Sequence, residues 1–299
     1  MPASVDPAAS LTAGQAAQEL ESSPSQHEVF IRADAPAVDW NSLRDLYRYR
    51  EVVWAFTKRH VKVKYKQMAL GVGWAVVQPL FATLIVTLVI GRFVHVGSEG
   101  VPYAAFAMSG MVIWTFFSGA LMFCMDSVLR DGGLLRKMYF PREALPLSSI
   151  LAFAVDFGPA IVVFILLLLV EGIRPSAWLL LIPLPVLLVM LAALALGMAT
   201  SALTVFFRDI RLLMPFVIQL GVLVTPIVYS ASLIPAQWRG LYLVLNPVAE
   251  AIDTLRRIGV HETAPRWGDY SAALVFAIVL LGAAYYLFKK LEPGLVDLL

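Results

Sequence analysis

The sequence predicts an all-α integral membrane protein with six transmembrane helices. Apolar residues make up 60% of the chain and charged residues only 15%, whereas a soluble domain carries roughly 25% charged residues. A span needs about 20 mainly apolar residues to cross a hydrocarbon core of about 30 Å. Six apolar stretches approach or exceed this length, the last two being the shortest: Met68–Gly91, Ala104–Met125, Leu147–Val170, Ala177–Phe207, Leu213–Tyr229 and Ser271–Phe288.

Residues 1–40 differ in composition from the rest of the chain. They are rich in Ala, Ser, Gln, Pro and carboxylates, and such a segment buries too little apolar surface to offset its ordering entropy. It lacks a basic start followed by an apolar core, so it does not resemble a secretory signal. We expect a disordered cytoplasmic tail here.

Residues 41–67 predict an amphipathic helix in the headgroup plane and an elbow before the first span. Apolar or uncharged residues recur there at helical spacing: Leu43, Leu46, Tyr47, Trp54, Thr57 and Val61. Lysines then alternate with other residues from Val61 to Lys66, a period of two that favours an extended or turning stretch. The alternative is a solvated basic flank that only sets topology.

Charge distribution predicts the orientation. With the N-terminus inside, most of the 23 Lys and Arg residues fall on cytoplasmic segments, as the positive-inside rule requires. We therefore expect both termini in the cytoplasm, a six-span domain over residues 68–290 and a short cytoplasmic tail over residues 291–299. The single cysteine, Cys124, excludes an internal disulfide framework.

The segment between the second and third spans, residues 130–149, is longer than a simple hairpin needs. Gly132 and Gly133 would permit a sharp turn out of the membrane. An apolar group then stands beside Arg136, Lys137 and Arg142, and Pro141 would end a short helix. This pattern suits insertion into a groove on a soluble partner, although a loop lying against the bilayer is the alternative.

These residues carry a family resemblance. RKMYFPREALPLSS at 136–149 resembles the cytoplasmic loop of type-2 ATP-binding-cassette permeases, in the branch that exports lipid-linked polysaccharides such as O-antigens and teichoic acids. YKQMALGVGWAVVQPL at 65–80, WTFF at 114–117, FFRDI at 206–210 and the pair Asn246–Pro247 resemble further segments of that branch. The resemblance covers about residues 45–290.

The resemblance implies a permease subunit that forms a homodimer, each copy binding a separate ATPase subunit, so that two ATPase copies supply the energy. It implies short re-entrant helices within residues 230–266. It also implies a coupling helix that docks the ATPase, formed by Leu134, Leu135, Arg136, Lys137, Met138, Tyr139, Phe140, Pro141, Arg142 and Glu143. Location in the bacterial inner membrane, as a multi-pass protein, follows from the same resemblance.

No GxxxxGK[ST] loop occurs in the sequence, so ATP and magnesium are expected on the partner subunit. Neither HExxH nor GxSxG is present, and we expect no catalytic residues, no metal site and no nucleic-acid partner. An ion-coupled secondary transporter usually shows more spans with an internal repeat. We find no such repeat in the sequence, which argues against this class. The serious alternative is the same architecture exporting a lipid or a drug.

A lipid-linked polysaccharide needs a special path. An unpartnered hydroxyl in hydrocarbon costs about 4–8 kcal/mol, so the path must be wet or lined with aromatic faces and hydrogen-bonding groups. The candidate channel residues are Trp114, Phe116, Phe117, Phe123, Asp156, Gln219 and Tyr229. Aromatic residues in spans are alternatively packing or interface anchors.

Asp156 is the one acid deep inside a predicted span, which makes it a functional candidate. Its alternative is a structural role, either protonated or hydrogen-bonded to a Ser or Thr on a neighbouring helix. No second buried acid or histidine is expected beside it, which argues against proton-driven transport. In the fourth span, Ala193, Gly197 and Ser201 allow close helix approach, either at the dimer seam or inside the chain.

Overall fold

The computed structural model describes residues 47–66, 68–94, 97–135 and 140–298, with the side chains of residues 92, 94, 135 and 296–298 outside that description. The predicted tail, residues 1–40, lies outside the described residues. The helices are α1 Arg50–Tyr65, α2 Trp74–Val86, α3 Tyr103–Met125, α4 Ser127–Leu135, α5 Ala144–Val170, α6 Pro183–Phe206, α7 Asp209–Val224, α8 Ala236–Leu245, α9 Pro247–Gly259 and α10 Trp267–Leu298. A π-helical segment, Thr87–Val94, continues α2. Within these residues there is no strand.

Five helical segments in the described part of the chain are long and apolar enough to cross a bilayer: Gly71–Gly91, Tyr103–Leu134, Ala144–Val170, Ala177–Phe206 and Trp267–Leu295. They correspond to five of the six predicted spans. The predicted fifth span, Leu213–Tyr229, overlaps the 16-residue helix α7, which begins at Asp209 and ends at Val224. At 1.5 Å per residue it is about 24 Å long, shorter than a typical hydrocarbon core, so the count of six is not confirmed.

Helix α3 is the centre of the bundle. It packs against α5 on one side and α6 on the other, and α6 packs in turn against α10 and α9. The small residues Ala193, Gly197 and Ser201 of α6 are buried inside the chain. A Cβ added at Gly197 would lie 2.6 Å from the sulfur of Cys124 on α3. Of the two roles open to this small-residue stripe, the structure therefore supports an internal helix contact.

Helix α1 continues through Tyr65, so the extended stretch expected at residues 61–66 is wrong. Its buried residues are Val53, Phe56, Thr57 and His60, at helical spacing, and α1 packs against α5. Trp54 and Tyr47, expected on the apolar face, are exposed. The chain turns only after the helix, where Lys66 is extended and Gly71 adopts a positive φ of 50°.

Gly132 and Gly133 are helical, because α4 runs on to Leu135; the expected sharp turn at these glycines is wrong. At the other end of the chain, α10 continues to Leu298. Residues 291–298 therefore extend the last helix, where a separate tail was expected.

The segment after α7 is held by one arginine. Arg256 of α9 is 4% exposed and donates hydrogen bonds to the carbonyls of Pro226, Ile227 and Tyr229. These contacts satisfy backbone groups that an irregular buried segment would otherwise leave unpaired. They explain why α7 ends at Val224.

The Asn246–Pro247 pair begins α9. The Asn246 side chain accepts a hydrogen bond from the backbone N–H of Ala249 at 3.1 Å, and Pro247 occupies the first helical position, where its missing N–H costs nothing. Helices α8 and α9 therefore form a short pair between α7 and α10.

Candidate functional site

A cavity of about 460 Å³ opens where α1 meets the spans. Residues from α1, the following turn, α2, α3 and α5 surround it: Lys64, Tyr65, Met68, Trp74, Ala75, Gln78, Val112, Thr115, Phe116, Gly119, Phe153, Asp156, Phe157 and Ala160. Because α1 ends beside α5 and the chain then turns into α2, three consecutive segments meet two further helices, α3 and α5, at this point. Most of the lining is apolar or aromatic, with a few polar groups.

Asp156 is the charged centre of the cavity. Its carboxylate accepts hydrogen bonds from the ammonium group of Lys64 and from the hydroxyl of Tyr65. The Lys64 nitrogen also lies 3.1 Å from the centroid of the Phe153 ring, within cation–π range. The partners of Asp156 are thus a lysine and a tyrosine from α1, where a Ser or Thr of a neighbouring span was the structural expectation.

Burial sets the protonation behaviour of the α1 residues. It lowers the pKa of Lys64 from its usual range, although the hydrogen bond and the negative charge of Asp156 oppose that shift. Burial, reinforced by the hydrogen bond to Asp156, raises the pKa of Tyr65. Tyr65 therefore remains a neutral donor at physiological pH, and Lys64 depends on Asp156 to keep its charge.

Aromatic rings line the opposite wall. Phe116 on α3 and Phe157 on α5 have ring centroids 4.5 Å apart at 56°, and Trp74 at the start of α2 is 43% exposed. These flat faces beside an ion pair are able to contact the C–H side of a ring-shaped ligand while its hydroxyls face polar groups.

A second, more open cavity adjoins the first. It measures about 420 Å³ and lies between α2, α3 and α7, lined by Gln78, Thr115, Ser118, Gly119, Met122, Pro215 and Ile218. Gln78, Thr115 and Gly119 belong to both cavities. Together the two form one partly polar groove along α3.

The seven predicted channel residues do not gather in one place. Phe116 and Asp156 line the first cavity. Trp114 and Phe117 are buried in the main core, with ring centroids 5.5 Å apart. Gln219 is exposed on α7, and the hydroxyl of Tyr229 donates to the carbonyl of Val224 at the end of α7.

Phe123 belongs to a different cluster, near the end of α3. Its ring packs on His60 of α1, with centroids 5.6 Å apart, and the Arg130 guanidinium lies 3.8 Å from its centroid. Phe123 therefore joins α1 to α3 in this structure and does not line either cavity.

Buried acids accompany Asp156 after all. Asp131 on α4 is buried, with Nε2 of His60 2.9 Å from one oxygen and Nη1 of Arg59 2.9 Å from the other. Glu143 and Glu250 are buried as well. The expectation of no second buried acid or histidine is thus wrong, because α1 and α10 cover helix ends that the sequence placed at the bilayer edge.

Sequence reasoning missed Lys64 and Tyr65 as partners of Asp156. The available signal was the i, i+4 spacing of His60 and Lys64, which puts both on one helical face, opposite Asp131 and Asp156. The alternating reading of residues 61–66 hid this face.

The C-terminal end of the predicted coupling helix is anchored. Phe140 is buried against Phe56 of α1, with ring centroids 5.1 Å apart. Glu143 accepts from Lys289 of α10 at 2.9 Å, and Arg142 donates to the backbone carbonyl of Glu292. The side chains of Phe140 and Glu143 therefore face the chain itself.

The rest of the coupling helix is only partly described. Arg136, Lys137, Met138 and Tyr139 lie outside the described residues, as does the side chain of Leu135. Leu134 packs partly buried beside Phe140 and its neighbours, and Pro141 is half-buried. Docking through this segment stays a prediction.

A bundle of apolar helices around a groove that is partly polar has the architecture of a multi-pass membrane permease. Residues 51–259 match the family model described as ABC-2 type transporter, and the chain belongs to that family. The resemblance drawn from the loop and span motifs is thereby confirmed.

Named relatives extend the match. The O-antigen export system permease protein RfbA of Klebsiella pneumoniae is 27% identical over 245 residues, 81% of this chain and 93% of its own. The RfbA protein of Myxococcus xanthus is 27% identical, covering 83% and 95%. The polysialic acid transport protein KpsM of Escherichia coli is 20% identical over 244 residues, 80% and 92% of the two chains.

Proposed function

We propose that this chain is the transmembrane permease subunit of an ATP-binding-cassette exporter that moves a lipid-linked polysaccharide across the bacterial inner membrane. The cargo class is an O-antigen, teichoic acid or cell-wall glycan, and a separate ATPase subunit drives transport. The observation that carries the proposal is the similarity to O-antigen export permeases over more than nine-tenths of their length. The chain itself holds no phosphate-binding loop.

The groove along α3 supports a glycan as cargo. Its first cavity combines the rings of Phe116 and Phe157 with the Lys64–Asp156 pair and with Gln78 and Thr115, and its second adds Ser118. Aromatic faces tolerate many sugars, and polar groups reduce the cost of taking hydroxyls out of water. A lipid tail or a drug would not require the polar half of this lining.

The same groove supports a homodimer. Its second cavity is open between α2 and α7, whose outward faces are apolar and include Phe81, Ile85, Phe216 and Leu220. A polar groove facing hydrocarbon is costly, whereas a second copy placed over it would close a channel. Two copies would then bind two ATPase subunits.

Topology is proposed on the same basis. Helix α7 acts as a sixth, short span, and the α8–α9 pair dips into the membrane beside it without crossing. Helix α1 lies along the membrane surface, with Trp54 exposed and Lys58 over its ring. Both termini lie in the cytoplasm, because the basic α1 and the residue 130–142 segment then fall inside.

Docking of the ATPase is assigned to residues 134–143. Asp131, just before this segment, is tied to α1, and Phe140 and Glu143 at its C-terminal end are tied to α1 and α10. If a bound partner moved this segment, the movement would displace α1, which ends at the Lys64–Asp156 pair. This linkage favours a mechanical role for the loop.

The experiment pairs Phe116→Ala with Phe117→Ala. Each removes one ring from the same turn of α3, but only Phe116 lines the cavity. The permease is purified with its cognate ATPase, and glycan-stimulated ATP turnover and glycan export are measured. Phe116 and Phe117 are equally buried, each 6% exposed, so both variants should lose similar stability and both readouts are taken per assembled complex. We expect Phe116→Ala to lower both roughly tenfold, and Phe117→Ala to leave them nearly unchanged.

Equal turnover per assembled complex in the two variants would remove Phe116 from the glycan path. Stimulation of turnover by a lipid or a drug, with none by a glycan, would favour the alternative cargo. Transport by the purified chain without a nucleotide-hydrolysing partner would contradict the proposal as a whole.

A further inference from the structure

A third cavity, of about 250 Å³, lies at the end of the bundle where α3 begins, away from the groove. Helix α3 contains 23 residues, so this cavity is about 30 Å from the α1 end of the bundle. It is formed by the segment before α3, by α8 and α9, and by the chain leading into α10. Its lining includes four arginines: Arg239, Arg256, Arg257 and Arg266.

The acids that line this cavity cannot neutralise the four arginines. Among the described lining residues only Glu99 and Asp253 are acidic. Glu99 is occupied by His261, at 3.1 Å, and by the hydroxyl of Ser230. Asp253 has one ion-pair neighbour, Arg266, at 4.0 Å, and its Oδ2 accepts no hydrogen bond from the described residues.

Among the described residues, no acid forms an ion pair with Arg256, so its positive charge is not neutralised. Its guanidinium is bonded to the backbone carbonyls of residues 226, 227 and 229 and to the Ser109 hydroxyl, at 3.2 Å. All of these acceptors are neutral. Burial lowers the pKa of Arg256 to about 10, so the group remains charged at neutral pH and contributes a fixed positive field.

Three arginines keep donors available for a ligand. Arg239 bonds two carbonyls through Nη2, while its Nε is buried with no hydrogen-bond partner among the described residues. Arg257 donates through Nε to the carbonyl of Ala264 at 2.9 Å. Among the described residues, the Arg266 side chain has only the long contact to Asp253. A buried donor without a partner is destabilising, and a bound acceptor would remove that cost.

We propose that this cavity is a binding site for a phosphate group. Three guanidinium groups from separate segments converge on one small space, and together with buried Arg256 they give an excess of two positive charges over Glu99 and Asp253. Guanidinium forks match the several oxygens of a phosphate, and such charge-assisted hydrogen bonds are about twice as strong as neutral ones. The phosphate comes from a phospholipid headgroup or from a soluble phosphate compound, and the chemistry of recognition is the same.

The test uses the full chain in phosphatidylcholine nanodiscs, titrated with inorganic phosphate and pyrophosphate by calorimetry. The variants are the double change Arg257→Gln with Arg266→Gln and the single change Arg266→Gln, whose side chain is the more exposed and tolerant of substitution. Arg174→Gln is the matched control, because Arg174 is an exposed arginine outside the cavity. Melting temperature and gel filtration verify folding.

We expect saturable binding by the wild type and by Arg174→Gln, and an affinity lower by roughly tenfold or more in the folded arginine variants. In nanodiscs containing phosphatidylglycerol, weaker apparent phosphate binding by the wild type identifies the headgroup as a competing occupant, and unchanged binding identifies a soluble phosphate. Either result supports a phosphate site. Equal affinity in all variants would overturn the proposal. It would also be overturned if neither phosphate nor pyrophosphate bound saturably and the protein retained no phosphatidylglycerol. The readout needs neither ATPase nor glycan, so it stands or falls independently of the proposed transport function.

Discussion

At the scale of single residues, several of the charges that the described residues bury are held as pairs. Asp156 is matched by Lys64, Asp131 by Arg59 and His60, and Glu143 by Lys289. Removing one member of a buried pair leaves the other charge uncompensated, whereas replacing both with neutral groups of similar shape is often nearly neutral. Each pair therefore ties together two helices that are far apart in sequence.

The Asp156–Lys64 pair makes a direct prediction. Asp156→Asn should lower the melting temperature of the detergent-solubilised protein. The corresponding loss in free energy of unfolding should be less than the roughly 3–5 kcal/mol of a fully buried pair, because the pair lines a cavity. The double variant with Lys64→Met should recover most of that loss. A double variant less stable than Asp156→Asn would show that the two residues are not energetically coupled.

Glu250 predicts a pH dependence. Burial, with the nearby charge of Asp253, raises its pKa from 4.5 to about 8, while Arg266 opposes and Asp269 adds to the shift. The folded state therefore holds a proton that the unfolded state releases above pH 4.5. The resulting stabilisation is complete below about pH 4.5 and is lost as the pH rises to about 8.

Thermal unfolding between pH 5 and 9 measures this effect. The wild type should become less stable from pH 5 to 8, and Glu250→Gln, which keeps the hydrogen bond from Thr254, should show a smaller slope at equal stability near pH 5. Parallel curves for the two proteins would mean that another group controls the pH dependence.

At the scale of secondary-structure elements, α1 is a packed part of the bundle. Val53 and Phe56 form a cluster with Phe140, Ala144 and Leu145, so α1 covers the start of α5 and the segment that leads into it. This contact places an N-terminal helix against the predicted docking loop. Movement of α1 would therefore displace the docking loop, and movement of the loop would displace α1.

Phe56→Ala should loosen this contact. Truncating a buried Phe to Ala lowers the free energy of unfolding by about 3–5 kcal/mol. We therefore expect faster tryptic cleavage after Lys58 and Arg59, together with lower coupled ATP turnover. Trp54→Ala, which removes an exposed ring from the same helix, is the matched control. Identical cleavage rates in the two variants would contradict the packing role assigned to Phe56.

At the scale of the whole molecule, the groove is incomplete within one chain. Its polar lining lies between α2 and α7, and α7 buries only Met214 among its 16 residues. A channel of this kind is completed by a second surface, and a copy of the same chain satisfies the symmetry of a C2 dimer. The groove and the exposed α7 face are thus two aspects of one proposed interface.

Cross-linking tests that interface. Cys124 is fully buried, so the wild type should not react with a bifunctional maleimide. Leu220→Cys on α7 should give a cross-linked dimer in membranes, whereas Val279→Cys on α10, which is even more exposed, should give much less. A monomer in the first case and a dimer in the second would move the interface to α10.

Much of the fold was readable in the sequence because the bilayer imposes it. A span must be long, apolar and helical to satisfy its own backbone in lipid. Composition alone therefore predicted five spans, and most of their ends were predicted to within a few residues. The motif set from residue 65 to Pro247 likewise indicated the family. The end of helix α7 was harder to predict, because the sequence around Thr225 and Pro226 continues the apolar stretch before them. The helix ends there because Arg256 binds the carbonyls of this segment.

The candidate site was less readable, because it depends on which distant residues meet. Sequence spacing identified Phe116 and Asp156 as unusual, but it gave Trp114 and Phe117 equal weight. All three rings are buried in the core, and only the packing of α3 against its neighbours brings Phe116 to the cavity. What the sequence by itself determined is the membrane class, the positions of the spans and the family. The tertiary structure alone decided the partners of Asp156, the burial of Asp131 and Glu143 and the convergence of four arginines at one end, since a charge in lipid is stabilised by whichever group the fold brings beside it.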